Sequence, residues 1–179
     1  MKTIHIVGNG PGMKYFSNPS GDFVFGCNYG EPSIKEMEWV FIHDARVFRN
    51  MERLKKRFPY SIMTKACFRS GIDTLHRRKI INKRVIFLPE AVVEKSAGHD
   101  AIHYSIINPE IQVVHLWGFD SILDDDMSSD SKGKIKGSAQ IEKLLPFWKK
   151  RFFDLFQSAK TMNTSFLIHR NTEDIVKVS

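Results

Sequence analysis

A glycine-rich turn near the start of the chain carries the clearest chemical signal. Residues 2–12 read Lys-Thr-Ile-His-Ile-Val-Gly-Asn-Gly-Pro-Gly, an apolar run that ends at Gly8, Asn9 and Gly10. A phosphate can approach such a turn because glycine has no Cβ and bare backbone N–H groups can donate to it. Met13 stands where the dinucleotide fingerprint needs its last glycine, and the Lys-Ser/Thr of a Walker loop is missing. The turn therefore predicts a phosphate-bearing ligand, but neither a standard NAD site nor a standard ATP site.

Polar residues also follow the other strand-like runs. Asn28 follows one run, His43 and Asp44 follow the next, and Glu90 and Asp120 follow two later ones. In a parallel α/β sheet, ligands bind beyond the carboxyl ends of the strands. These residues therefore predict one polar cleft along that edge of a sheet.

The elements that would position these residues alternate between strands and helices. Seven apolar runs predict strands, at 4–7, 23–26, 39–43, 60–63, 85–88, 111–117 and 166–168. Helical periodicity and start signals predict helices over 45–58, 99–107 and 138–162, with Pro146 either kinking the last helix or starting a second one. The pattern predicts a Rossmann-like three-layer α/β sandwich with a mostly parallel sheet, forming a single nucleotide-binding domain over 1–179. The Asp-, Ser-, Lys- and Gly-rich segment 124–136 is typical of a mobile loop.

Composition limits the class of protein. The chain has 179 residues, 42% of them hydrophobic and 26% charged, which is ordinary for a globular domain. No apolar run approaches the roughly 20 residues of a membrane span. The first strand opens so early that no signal peptide is expected before it. The two cysteines, Cys27 and Cys67, have no paired spacing, so neither a disulfide framework nor a zinc site is expected. We therefore expect a reduced, cytoplasmic protein.

The positive charge is clustered. The formal net charge is +7, and basic residues concentrate at 46–57, 76–84 and 149–151. These clusters are either the solvated faces of helices or surfaces that attract a polyanion, so nucleic acid is one candidate partner. The sequence contains no recognisable nucleic-acid-binding module.

Two stretches together resemble a known family. Ile-Val-Gly-Asn-Gly-Pro at 6–11, followed by Asp-Phe-Val-Phe-Gly-Cys-Asn at 22–28, resembles the start of the small bacterial sialyltransferases. Ser96-Ala97-Gly98 and the later Leu-Trp-Gly-Phe-Asp at 116–120 resemble that family's Ser/Thr-x-Gly helix start and its strand ending in Gly-Ile-Asp. A wider clan with the same layout includes proteins related to 6-hydroxymethylpterin diphosphokinase. The resemblance covers about residues 3–45 and 94–120.

The resemblance implies a set of donor-binding residues. In the family, the Asn of the first turn and the Asn after the second strand contact a CMP donor, and these positions are Asn9 and Asn28 here. The loop before the later helix, which holds the nucleotide in the family, corresponds to residues 96–99. With the strand-end residues, the expected nucleotide-binding set is Gly8, Asn9, Gly10, Asn28, Ser96, Gly98, His99 and Asp120. The family needs no metal, and we expect neither a metal nor a separate cofactor.

The expected catalytic base departs from the family pattern. Those sialyltransferases use a His in the segment after Gly-Ile-Asp, whereas residues 121–164 contain no His. Another group must then deprotonate the acceptor, and Asp44 and His43 are the leading candidates, because a carboxylate or imidazole can be tuned for this task. Asp120 and the acidic run 124–126 are further candidates for the base. A metal-binding role for that run is not favoured, because its surroundings are typical of a solvated loop.

The leading hypothesis is transfer of a sugar from a nucleotide sugar, most simply a CMP-sugar, to an acceptor hydroxyl. The glycine turn and the helix start at Gly98 would stabilise the nucleotide phosphate. The alternatives are a pterin diphosphokinase-like enzyme, with Asp44 and Asp120 binding magnesium, and a protein that binds nucleotide or nucleic acid without turnover. An aromatic cluster at 147–156 indicates either core packing or the interface of a homo-oligomer.

Overall fold

The computed structural model describes residues 2–30, 33–123 and 138–179, and it contains eight strands and five α-helices in those ranges. The strands are β1 (Lys2–Val7), β2 (Phe23–Cys27), β3 (Met37–Ile42), β4 (Ser61–Thr64), β5 (Val85–Phe87), β6 (Ile111–Trp117), β7 (Ser165–His169) and β8 (Ile175–Lys177). The helices are α1 (Ala45–Leu54), α2 (Arg69–Arg77), α3 (Ala97–Ile107), α4 (Asp120–Leu123) and α5 (Ser138–Thr161). Three short 3₁₀ helices cover Pro11–Tyr15, Ala66–Phe68 and Glu90–Val92.

All eight strands form one sheet in the order β5-β4-β3-β2-β1-β6-β7-β8. Every pair is parallel except β7 with β8, which is antiparallel. The chain adds strands outward from β1 to β5 and then returns to place β6 on the other side of β1. The strand order therefore reverses between β1 and β6, the type of position at which open α/β sheets bind ligands.

Helices cover both faces of the sheet because alternate strand residues are apolar on both sides. Ile4 and Ile6 of β1 face the first core, which α3 and α5 complete through residues such as Ile102 and Phe156. The second core lies on the opposite face, where α1 and α2 pack against the sheet. This arrangement confirms the expected Rossmann-like three-layer sandwich with a mostly parallel sheet.

Several boundaries differ from the sequence-based expectation. Helix α1 ends at Leu54 rather than at residue 58, because Lys55 adopts a left-handed conformation with φ of 50°. Pro146 does not start a second helix, since α5 is continuous through it. The pattern did not predict α2, whose buried residues are only Ile72 and Leu75, or the three-residue edge strand β8. The predicted loop at 124–136 lies outside the described residues.

No helix in the described ranges combines the length and the apolar character that a membrane crossing requires.

Candidate functional site

A pocket of about 720 Å³ opens at the carboxyl edge of the sheet. Its walls come from the segments that follow β1, β2, β3, β4 and β6, and from the start of α3 and one side of α5. Eight of the ten residues expected in the site line it, namely Gly8, Asn9, Gly10, Asn28, His43, Asp44, Ser96 and Gly98. The other two, His99 and Asp120, are not part of the lining.

The glycines after β1 pack against the segment that follows β6. The N–H of Gly8 donates to the last carbonyl of β6 at 2.7 Å, and the N–H of Gly10 donates to the carbonyl of Gly118 at 2.9 Å. The N–H of Gly12 donates to Asp120 Oδ2 at 2.9 Å. The expectation that these glycines offer bare N–H groups to a phosphate is therefore wrong. Asp120 stabilises the turn through this hydrogen bond and does not line the pocket.

Steric contact explains why these positions are glycines. A Cβ on Gly10 would lie 2.5 Å from Asp120 Oδ2 and 2.7 Å from the carbonyl oxygen of Gly118. A Cβ on Gly8 would lie 3.1 Å from the ring of Phe119, and a Cβ on Gly98 would lie 2.9 Å from the same ring. Phe119 thus sits between the turn after β1 and the start of α3. Sequence reasoning gave Phe119 no role, although its ring sets the spacing of these two pocket walls.

Asn28 has an unusual backbone and an unpaired amide oxygen. Its φ is 58°, a left-handed conformation that asparagine tolerates better than most residues. Its N–H donates to the carbonyl of Phe41 at 2.7 Å, which fixes the residue at the end of β2. Its Oδ1 is buried and has no hydrogen-bond partner among the described residues. A buried acceptor of this kind can be satisfied by a ligand donor in the pocket that Asn28 lines.

Helix α3 begins at the pocket with Ser96 as its N-cap. Ser96 Oγ lies 2.7 Å from His99 Nδ1, and His99 Nε2 lies 3.2 Å from the carbonyl of Trp148. Because a carbonyl only accepts, Nε2 carries the proton and Nδ1 accepts from Ser96. Burial lowers the pKa of His99 to about 4, and its ring stacks on Phe152 with 3.7 Å between centroids. His99 is fully buried and is not part of the pocket lining, so its side chain supports the start of α3 rather than forming a wall of the pocket.

A buried carboxylate holds the histidine of the pocket. His43 Nδ1 lies 2.9 Å from Asp100 Oδ2, and the side chains are 19% and 1% exposed. Asp100 Oδ1 accepts from the N–H of Glu94 at 2.6 Å, which fixes the carboxylate. As a carboxylate, Asp100 accepts the Nδ1 proton, so the lone pair of His43 lies on Nε2. Nε2 is 3.2 Å from Lys65 Nζ, whose ammonium donates to it.

Asp44, the other candidate base, is already engaged. It caps α1 by accepting from the N–H of Arg46 at 2.8 Å, and its other oxygen accepts from Arg46 Nε at 2.7 Å. Burial alone would raise the pKa of Asp44, but the hydrogen bonds and charge of Arg46 outweigh burial and lower it. A carboxylate with a lowered pKa is a weak proton acceptor. Oδ1 is occupied by the helix cap and Oδ2 by the guanidinium of Arg46.

The pocket favours an anionic ligand. Arg46, Lys65 and Lys95 line it, whereas Asp44 is its one acidic residue among the described lining. Cys27 also lines the pocket, and burial followed by the negative charge of Asp100 raises the pKa of its thiol to about 12. The thiol is therefore protonated at neutral pH and is not a nucleophile.

Sequence reasoning missed Asp100, Lys65 and Phe119. Asp100 lies 57 residues from its partner His43, so no local spacing predicts the contact. Lys65 does follow a predicted strand, and the strand-end rule that selected the other residues could have included it. Among the described residues, no group of three His, Cys, Asp or Glu could hold a metal ion. The acidic run 124–126 lies outside them.

The chain matches no protein-family model, and the comparisons found no significantly similar curated protein or solved structure. Fold and pocket together define a Rossmann-like α/β protein with a cationic cleft beside the reversal point of its sheet.

Proposed function

We propose that this protein binds a nucleotide sugar, with a CMP-sugar as the favoured donor, and transfers the sugar to an acceptor hydroxyl. One observation carries the proposal. A single pocket combines a helix start and three cationic side chains with a histidine fixed by a buried carboxylate. The helix start and the cationic side chains suit the phosphate of a donor. The histidine and its carboxylate suit removal of a proton from an acceptor.

The start of α3 supports the donor part of the proposal. The N–H groups of Ala97 and Gly98 lie in the first turn, where no carbonyl of the helix reaches them. Such groups and the helix dipole attract a phosphate. Lys65 and Lys95 add positive charge in the same pocket. The buried Oδ1 of Asn28 has no partner in the described part of the chain and would accept from a ribose hydroxyl or a base amine, the role that the sialyltransferase resemblance implies.

His43 is the proposed base. Its Nε2 takes the proton of the acceptor hydroxyl while the hydroxyl oxygen bonds to the anomeric carbon. The bond from that carbon to the phosphate oxygen breaks, and the nucleotide leaves with the electron pair. Lys65 donates to Nε2 in the structure, and a bound phosphate attracts this ammonium and frees the lone pair for the acceptor. Asp100 keeps the ring in the required tautomer and stabilises the imidazolium.

The diphosphokinase alternative is less well supported by the site. It needs open carboxylates for magnesium, whereas Asp44 is engaged by Arg46 and Asp120 accepts from the N–H of Gly12. Binding of nucleotide without turnover is an outcome that the second experiment below distinguishes.

Donor binding is tested by isothermal titration with CMP, UDP and GDP. We expect CMP to bind most tightly, and Asn28→Gly, which keeps the left-handed backbone, to weaken it by about tenfold through loss of one or two hydrogen bonds. Asn163→Gly is the matched control, because Asn163 also has a positive φ, of 56°, but is exposed and is not part of the pocket lining. Folded protein that binds none of the three nucleotides would refute the proposal.

Turnover is tested by release of CMP from a CMP-sugar, with water or a panel of sugars as acceptor. We expect Asp100→Asn to lower the rate by about 10²–10⁴-fold, because an amide favours the wrong histidine tautomer. The dissociation constant for CMP should change less than about twofold, since Asp100 does not line the pocket. Wild-type protein that binds CMP but releases none from any donor would establish binding without catalysis.

A further inference from the structure

Nine exposed basic side chains lie together at the edge of the sheet opposite the pocket. They are Arg53, Lys55, Lys56, Arg57, Arg77, Arg78, Lys79, Lys83 and Arg84, and we call this surface the basic edge. The pocket lies at the carboxyl ends of the parallel strands. Helices α1 and α2 run back from there, so their last turns and the loops that follow them reach the amino ends of β4 and β5.

Backbone contacts join the two loops into one surface. Phe58 in the first loop forms a parallel bridge with Ile81 in the second, and its N–H donates to the carbonyl of Ile80 at 2.8 Å. Arg78 forms an ion pair with Glu52 of α1 at 2.7 Å, which also ties the two helix ends. The loops lead into neighbouring strands, which in a sheet lie about 4.8 Å apart. The nine cations therefore form a continuous patch.

This patch holds the entire charge excess of the protein. The chain has 27 Lys and Arg against 20 Asp and Glu. The basic edge contains nine of the basic residues, and Glu52, which pairs with Arg78, is the acidic residue that contacts them in the described part of the chain. The remaining residues then comprise 18 basic and 19 acidic ones, a formal charge of −1. A charge distribution this uneven creates a local positive potential that steers polyanions.

Helix stabilisation explains only part of the cluster. Cations in the last turn interact favourably with the helix dipole, which accounts for Arg53 and Arg77. It does not account for Lys56 or Arg57, or for Lys83 and Arg84, which lie in the loops before the strands. Lys55 and Lys79 also adopt positive φ values of 50° and 57°, at positions where glycine or asparagine would fit with less strain.

We propose that the basic edge binds the phosphate backbone of double-stranded nucleic acid. Five of the nine cations are arginines, which contact phosphates in a bidentate manner. Neither stretch of the patch contains an aromatic residue, and the adjacent Phe58 and Tyr60 are each only 7% exposed, so there is no platform for stacking single-stranded bases. Leu54 is one exposed apolar side chain beside the patch, which is too little to anchor the protein in a bilayer.

The test is fluorescence anisotropy of the full chain with a labelled 20-base-pair duplex, over a series of salt concentrations. The patch variant replaces Lys55, Lys56, Lys79 and Lys83 with Gln. The matched control replaces Lys14, Lys35, Lys160 and Lys177 with Gln, since these lysines are also exposed and lie outside the patch. We expect the patch variant to bind at least about tenfold more weakly at 0.1 M salt, with a salt slope smaller by about 3–4, and the control to change less than about twofold. Should the fourfold variant fail to fold, the double variant Lys56→Gln with Lys83→Gln is expected to show about half the change in slope.

Several results would overturn the proposal. They are failure of the wild-type chain to bind duplex at 50 mM salt, equal loss in the patch and control variants, and binding that does not depend on salt. Patch-dependent binding to phosphatidylserine vesicles that is tighter than binding to duplex would overturn it in favour of a membrane surface. The proposal does not rest on the nucleotide pocket, and duplex binding is expected to survive Asn28→Gly unchanged.

Discussion

Acid should destabilise this protein well above the pH at which its carboxylates are protonated, because three histidines are held neutral. Burial, followed by the charge of His115, lowers the pKa of both His5 and His169 to about 4, and burial lowers that of His99 to about 4. In the unfolded chain each has a pKa of about 6.5. Between pH 6.5 and 4 each histidine therefore binds a proton only on unfolding.

The contacts of these histidines explain why the folded state resists protonation. Trp117 Nε1 donates to His5 Nδ1 at 3.0 Å, so a proton on that nitrogen would face another donor. His115 Nδ1 and His169 Nε2 are 2.7 Å apart and share one proton between them. The rings of Trp117 and His169 stack with 3.8 Å between centroids. Charging any member of this cluster breaks a hydrogen bond or brings like charges together.

Proton linkage gives the direction and the size of the change in unfolding free energy with pH. The full stability is present above pH 6.5, where both states are neutral at these histidines, and it falls as the pH drops toward 4. Each histidine contributes a slope of about 1.4 kcal/mol per pH unit, so three independent groups give about 4 kcal/mol per unit. About 6 kcal/mol is therefore lost by pH 5, so a domain at the lower end of the usual range of about 5–15 kcal/mol would unfold there and a more stable one closer to pH 4.

Urea unfolding followed by tryptophan fluorescence from pH 4.5 to 8 measures this slope. His169→Phe keeps the stack on Trp117 and removes one titrating group, so the slope should fall by about 1.4 kcal/mol per unit. His76→Gln is the control, because His76 is exposed and its loss should leave the slope unchanged. A wild-type slope near zero between pH 5 and 6.5, or an unchanged slope in His169→Phe, would refute the reasoning.

Two further predictions concern packing at and near the site. Gly10→Ala places a Cβ 2.5 Å from a carboxylate oxygen and should lower the unfolding free energy by about 1–3 kcal/mol, whereas Gly71→Ala, in open space within α2, should stabilise by up to about 1 kcal/mol. Urea unfolding decides this, and equal effects of the two changes would contradict the steric explanation. Arg151→Ala leaves the buried Glu94, whose side chain is 7% exposed, with His103 as its remaining ion-pair partner among the described residues and should cost about 1–3 kcal/mol. Lys150→Ala, which removes a pair whose lysine side chain is 74% exposed, should cost less than about 1 kcal/mol in the same assay, and an Arg151→Ala effect that small would contradict the role given to the ion pair.

Local sequence patterns were sufficient to predict most of the strands and helices. The expected strand at 111–117 has the same bounds as β6, and the first strand and α5 each differ from expectation by only one or two residues at an end. Apolar runs and helical periodicity are properties of residues that are close in sequence, so they can be recognised without knowledge of the fold. Short elements were not predicted, because they contain too few residues to show such a pattern. Helix α2 buries two apolar side chains and β8 has three residues, too few to form a pattern.

In the candidate site, local patterns predicted positions in the sequence but not the contacts between distant residues. The strand-end rule selected His43 and Asn28, because the end of a strand is a local property and the parallel sheet brings all such ends to one edge. The sequence did not reveal that Asp100 would hold His43, or that Asp120 would turn away from the pocket to accept from the N–H of Gly12. Those contacts join residues far apart in the chain.

By itself, the sequence determined the alternation of strands and helices, the composition of the strand ends and the excess of positive charge. Only the tertiary structure decided which strand-end groups face the cleft, which are consumed by internal hydrogen bonds, and where the charge lies. The glycine turn illustrates the difference. Its glycines are explained by the close approach of Gly118 and Phe119 rather than by a phosphate. The physical reason is that a residue's type fixes which contacts it can make, whereas the packing of the layers fixes which of those contacts are made.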